Sequence, residues 1–246
     1  MRKTLLASAV GAILALSACS DNTAPSQTET TTTAVESTEV TSTNPFFQQS
    51  SLQYQAPDFS AIKDDHFLPA FEEGMKQNMA EIEAIANNPE PATFENTLVA
   101  MEKSGEMLNR VARVFYNLTG TDSNEQRRKI QSELAPKMAA HSDNISLNPA
   151  LFARVKTIYD NRNNSELDAE SIRLAEVYYD RFVRAGAQLT EEQKTAIRAL
   201  NEEHSNLTTK FSQSLLAETK NIAVVVENKD ELAGLTDAQI TAAAAA

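Results

Sequence analysis

Residues 87–105 read NNPEPATFENTLVAMEKSG, and how this stretch divides decides the fold. Pro89 and Pro91, with one residue between them, cannot continue a helix and push their neighbours toward extended backbone. Thr93 then stands where an N-cap belongs, and Glu95 falls in the first turn, facing the positive end of the helix dipole. Phe94, Leu98 and Met101 recur at helical spacing, and Leu108, Val111, Phe115 and Leu118 carry the stripe on. Gly105 interrupts that stripe at a cost of about 1 kcal/mol relative to Ala. It marks either the close approach of another helix or a bend. The stretch predicts a hard loop followed by a long, mostly buried helix.

Helical patterns extend in both directions from it. Upstream, Phe67, Phe71, Met75, Met79, Ile82 and Ile85 share one face of a helix over His66–Ile85. Downstream, Asn117-Leu118-Thr119-Gly120 offers a glycine stop, and Ser123-Asn124-Glu125-Gln126 a capping box. Pro136 falls inside the helix that follows and is expected to kink or break it near Leu134. Asn148-Pro149 opens another helix, with proline where its missing N–H does no harm. Asp168 caps a further one, running to Ala185-Gly186. Thr190-Glu191-Glu192-Gln193 is a second capping box, opening a helix of about 45 Å. That helix places Ile197, Leu200, His204, Leu207, Phe211 and Leu215 on one face, with Leu207 and Phe211 expected in the core of a helical hairpin. Ile222–Val226 is a β-branched run that predicts a short strand. A third capping box, Thr236-Asp237-Ala238-Gln239, starts a helix that the chain leaves uncapped within two to three turns, which reads as a cut. The fold class is therefore all-α: a multi-helix domain with long antiparallel helices and at most one short strand near the C-terminus.

The first 43 residues are of a different kind. Arg2 and Lys3 precede an apolar run from Leu5 to Leu16, too short to span a bilayer comfortably. Leu16-Ser17-Ala18-Cys19 follows and resembles the bacterial lipoprotein processing box, which implies cleavage before Cys19 and its acylation. Several acyl chains anchor a protein stably, at about 0.8 kcal/mol per buried methylene. Residues 1–18 are thus expected to be a lipoprotein signal peptide. Residues 19–43, rich in Ser, Thr and Glu and without an apolar period, are expected to be a disordered tether. Residues 44–246 form the helical domain. Cys19 is the one cysteine, so the chain has no intrachain disulfide and no cysteine zinc site. A net charge of -12 and the lack of a basic run argue against nucleic acid as a partner.

Asn-Pro-Glu-Pro-Ala-Thr-Phe-Glu-Asn-Thr at 88–97, with Glu102-Lys103-Ser104-Gly105, resembles the N-terminal half of the thimet-oligopeptidase-like zinc metallopeptidases. The likeness is to the bacterial peptidyl-dipeptidase (dipeptidyl carboxypeptidase) branch. Asn44-Pro45-Phe46-Phe47, Tyr54-Gln55-Ala56-Pro57 and Ile62-Lys63-Asp64 are similar to the start of that branch. Ala135-Pro136-Lys137, His141-Ser142-Asp143 and Leu147-Asn148-Pro149 are similar to its middle. Arg184-Ala185-Gly186-Ala187 and Leu200-Asn201-Glu202-Glu203 follow in order. The resemblance implies a zinc metallopeptidase that removes dipeptides from the C-terminus of short unfolded peptides, this half forming one wall of a deep channel. It also implies that the zinc-bearing half lies beyond Ala246.

The chemistry of such an enzyme requires His-Glu-x-x-His on a helix, with the glutamate as general base and a further carboxylate ligand. The chain has three histidines, His66, His141 and His204, and no such motif. No catalytic and no metal residue is assigned in it, and no zinc is expected to bind this chain alone. His204, on an apolar face, reads as a hydrogen-bonded core histidine. His66 reads as a capping or surface residue, and His141 as a partner for a free carbonyl after a kinked helix. The pairs Glu72-Glu73, Glu191-Glu192 and Glu202-Glu203 are adjacent in sequence, share no helix face and read as solvated charge. Lys229-Asp230-Glu231-Leu232 is internal and is no retention signal.

These readings converge on the N-terminal part of a zinc peptidyl-dipeptidase, inactive by itself and partnered by the missing catalytic half and by short peptides. It is expected to be a monomer in a bacterial cell envelope, anchored through Cys19 and facing the periplasm. The competing reading is a complete, non-enzymatic helical lipoprotein that serves as a peptide-binding or scaffold module.

Overall fold

A computed structural model describes residues 44–222 and 225–244. The signal peptide, Cys19 and the tether lie outside the described residues. The fold is all-α. Its helices are α1 (Phe67–Ala86), α2 (Ala100–Lys103), α3 (Glu106–Thr121), α4 (Glu125–Ser146), α5 (Pro149–Asn161), α6 (Ala169–Ala185), α7 (Glu191–Asn221) and α8 (Asp237–Ala244).

Helix α1 joins two apolar clusters. Its first half sets Phe67 and Phe71 against Phe46, Val111 and Phe115, with Ile130 and Leu134 of α4 closing that cluster. The Phe71 and Phe115 rings meet edge to face, 5.4 Å between centroids. Its second half sets Ile82 and Ile85 among Leu98, Leu151, Val155, Ala175 and Phe182. Gly74 lets α3 come close: a Cβ there would lie 2.9 Å from Leu108 Cα. No larger residue fits that crossing without moving one of the two backbones.

The stretch at 87–105 forms a hard loop and an interrupted helix. The Thr93 hydroxyl accepts from the Asn96 N–H at 3.1 Å, and the Asn96 side chain accepts from the Thr93 N–H at 2.9 Å. Phe94–Val99 is π-helical, α2 follows, and Gly105 then turns the chain at φ 73. Gly105 therefore marks a bend, its N–H donating to Glu81 Oε2 at 2.7 Å. Arg154 holds the loop from behind. It is buried, and its guanidinium donates to Thr97 Oγ1, to the Asn88 and Glu90 carbonyls and to Asn96 Oδ1. Two prolines and a turn leave carbonyls without helical partners, and one arginine collects them.

Several local expectations are corrected. Gly120 does not stop α3, which runs through it to Thr121 and is capped by Asp122. Asn124 rather than Ser123 caps α4, accepting from the Arg127 N–H at 2.8 Å. Pro136 does not break α4, which is continuous from Glu125 to Ser146. The helix is held on both sides of the proline, by Lys137 on Glu72 of α1 and by Gln213 of α7 on the Arg128 carbonyl. These contacts offset the one lost backbone bond. Of the predicted strand, Ile222 lies in a turn and Val225 and Val226 are irregular. A lone strand has no ladder to join, and no strand is present among the described residues.

The largest correction concerns α7. Leu207 is 58% and Phe211 68% exposed, and Leu200 and Leu215 also face solvent, so they are not core residues. The helix lies antiparallel on α4 through its other side: Arg198 on Asn144, Asn201 on Asp143 and Gln213 on the start of α4. Polar side chains make the seam, and the apolar stripe is left outside.

Candidate functional site

The three histidines do not converge. His66 Nδ1 accepts from the Lys63 N–H at 3.1 Å and so caps the turn before α1, as a capping role predicts. His141 lies inside α4 and is buried, its Nε2 bonded to Asn78 Oδ1 of α1 at 2.8 Å. It bonds a side chain, not the free carbonyl expected after a broken helix, because the helix is not broken. Burial lowers its pKa from the ordinary imidazole value. His204 is exposed on the outer face of α7, not in a core.

Among the described residues no three His, Cys, Asp or Glu side chains form a group that could hold a metal ion. The described residues therefore do not fit a zinc ion. The carboxylate pairs serve structure or solvent. Glu72 takes Lys137, Glu73 takes Lys76 and Gln77, and Glu191 takes Lys194. Glu192, Glu202 and Glu203 are exposed. Lys229–Leu232 is a single 3-10 turn.

A groove of about 730 Å³ opens between the segment 49–57 and the junction of α2 and α3. Its lining carries Lys103, Arg110 and Arg113. Arg110 donates to the Phe46 carbonyl at 2.8 Å and pairs loosely with Glu106 at 3.5 Å, while its buried Nε has no protein partner. Glu106 also accepts from the Gln49 amide at 2.7 Å, and Glu102 from the Tyr178 hydroxyl at 2.6 Å. Burial first, and then the Glu102 carboxylate, push the Tyr178 phenol upward, so it stays a donor at neutral pH. Tyr54 at the rim is almost fully exposed, and it and Gln55 hold φ of 58 and 56, a left-handed pair that costs on the order of 1–2 kcal/mol per residue. The lining of this groove holds three cations and two carboxylates, Glu102 and Glu106, so it carries a single net positive charge, the sign that suits a carboxylate or another anionic group.

Sequence reading named Lys103 only within the Glu102-Lys103-Ser104-Gly105 resemblance, and it did not name Arg110 or Arg113. They sit in a helical pattern like any surface cation, and only the fold brings residues 49–57 over them. The one local signal is the left-handed bend at Gly105, which separates Lys103 from the other two.

No family model matches the chain. Among curated proteins it is similar to the dipeptidyl carboxypeptidase of Salmonella typhimurium. The two are 46% identical over 205 residues, which make up 83% of this chain and 30% of that protein. The dipeptidyl carboxypeptidase of Escherichia coli is 44% identical over 207 residues, 84% of this chain and 30% of its own. Oligopeptidase A of Salmonella typhimurium is 22% identical over 203 residues, 82% of this chain and 29% of its own. An all-α domain with this capped loop, matched along most of its length by both kinds of relative, belongs to the thimet-oligopeptidase-like peptidase family. Within that family it falls on the dipeptidyl carboxypeptidase branch. The chain spans about 30% of the length of these curated relatives.

Proposed function

We propose that this chain is the helical, substrate-flanking part of a zinc peptidyl-dipeptidase, which removes dipeptides from the C-terminus of short unfolded peptides. The observation that carries this reading is the 46% identity over 205 residues to a protein named dipeptidyl carboxypeptidase. In this reading the chain forms one wall of the substrate channel, and the zinc ligands and general base belong to polypeptide outside these 246 residues. Zinc, when bound in such an enzyme, activates a water and polarises the scissile carbonyl. The contribution of this chain is to shape the channel, admit extended peptides and exclude folded ones. The cationic groove beside Arg110 supports the handling of peptide carboxylates. Acylation of Cys19 anchors the protein in a bacterial cell envelope, facing the periplasm, and the basic start and apolar run before Cys19 support that placement.

The test is release of C-terminal dipeptides from a blocked tetrapeptide in the presence of zinc. The chain alone is expected to give none. Turnover is expected once it is combined with the portion of the Salmonella typhimurium relative outside the matched residues. Chelator-sensitive turnover by the chain alone overturns this reading. Peptide binding without turnover in the combined protein favours a binding module instead. For the anchor, a palmitate analogue is expected to label the native chain and not Cys19→Ser; label retained by the variant removes the anchor from the proposal.

A further inference from the structure

The exposed large apolar side chains of this chain concentrate near its C-terminal end. Leu200, Leu207, Phe211 and Leu215 are each between 57% and 68% exposed, on one face of α7. Ile222, Val225 and Leu235 beyond them are exposed too. A surface helix ordinarily turns its apolar stripe to the core and its polar side to water. Here the arrangement is reversed, because Arg198, Asn201 and Gln213 occupy the seam with α4. The helix is therefore already fixed in place by polar contacts, and its apolar face has no partner among the described residues.

The size of the stripe and the length of the relatives point to its occupant. Four large apolar side chains, each more than half exposed along one helix, make a patch of the class of the largest found on a monomer, roughly 300–600 Å². It falls short of the roughly 800 Å² per partner that stable association of free proteins requires. A partner on the same polypeptide does not need that area, because tethering supplies a high effective concentration. The relatives carry more than twice as much chain outside the matched region as within it. Resting on the family reading above, we infer that the outer face of α7, centred on Leu207 and Phe211, is the docking surface for that remaining portion of the family polypeptide. The stripe joins the two parts into one body by apolar burial, while the polar seam with α4 forms within this chain alone.

The test is hydroxyl-radical footprinting read by mass spectrometry. It compares the full chain with a fusion in which the portion of the Salmonella typhimurium relative outside its matched residues follows Ala246. Leu207, Phe211 and Leu215 are expected to react fast in the chain alone and about an order of magnitude more slowly in the fusion, with Tyr54 unchanged. Unchanged reactivity of the stripe in a folded fusion overturns the proposal. Protection that already appears in the chain alone, rising with concentration alongside a dimer in sedimentation, also overturns it by naming a second copy as the occupant. If circular dichroism shows the fusion unfolded, the same portion is produced separately and mixed with the chain at high concentration, and the same residues are read. A protected stripe without dipeptide release sinks the proposed activity and leaves the docking surface standing. Release with an unprotected stripe does the reverse.

Discussion

Helices α1 and α7 carry the same kind of sequence pattern and make opposite use of it. Each has large apolar residues at helical spacing along one side, and each is long, 20 and 31 residues. In α1 that side is sealed, with Phe67 and Phe71 wholly buried and Ile82 nearly so. In α7 it is open, and Phe211 is 68% exposed. The difference is one of surroundings. Helix α1 runs between α3, α4 and α5 and meets apolar neighbours at both ends. Helix α7 lies against α4 on a row of polar contacts. Periodicity defines a face, and it says nothing about whether this chain supplies what the face will touch.

The contrast is sharpest in paired truncations. Phe71→Ala is expected to destabilise the chain by about 3–5 kcal/mol, the usual range for a buried phenylalanine. Phe211→Ala is expected to change stability by no more than about 0.5 kcal/mol, as an exposed substitution does. Urea midpoints of the two variants check this directly, and a large shift for Phe211→Ala would close the distinction between the helices.

The next effect in size belongs to Arg154. Arg154→Met keeps much of the side-chain length and removes every donor, leaving Thr97, Asn96 and two backbone carbonyls without their partner. The expected loss is about 2–3 kcal/mol, since bonds to a charged donor are among the stronger ones. Amide exchange should speed up locally over 88–97; exchange that speeds up evenly across the chain instead would show that the loop does not depend on Arg154.

Gly74→Ala tests how closely α1 and α3 are pressed together. The helical gain of about 1 kcal/mol from replacing glycine is opposed by a Cβ 2.9 Å from the Leu108 backbone. Overpacking of about 1–3 kcal/mol opposes that gain, for a net loss of up to about 2 kcal/mol. A stabilised Gly74→Ala variant in thermal unfolding would mean that the two helices separate easily.

The smallest effect is one of pH. Burial holds the His141 pKa below its ordinary value. As pH falls, the unfolded ring takes up a proton near the usual pKa of about 6.5 before the folded ring does. The contribution of His141 is therefore neutral above that pH and turns destabilising as pH falls below it. The urea midpoint is expected to drop between about pH 7 and pH 5 more in the native chain than in His141→Gln, whose amide still reaches Asn78. Equal slopes in the two proteins would show that the ring is not protected from protonation.

The caps were the most legible part of the fold. Thr93, Asn148, Asp168, Thr190 and Thr236 each begin a helix, because a short polar side chain satisfies N–H groups within three residues of itself, and no distant contact is needed. The apolar face of α1 was legible for a related reason, since its spacing involves only residues of the helix itself; that this chain covers it came from the packing. Pro136 misled because its local preference is worth only a few kcal/mol, and contacts on both flanks of α4 outweigh it. The three cations of the groove were not legible at all, because residues 49–57 reach them only across the fold.

By itself the sequence determined an all-α chain, the beginnings of its helices, the apolar faces those helices carry and the family to which it belongs. All of these rest on interactions within a few residues or on the order of residues along the chain. Only the tertiary structure decided which faces are covered. It placed Arg154 behind the loop at 88–97, set His141 against Asn78, and laid α7 on α4 by its polar side. Burial is a relation between segments distant in sequence, and the free energy that selects it comes from area removed from water, which no local pattern specifies.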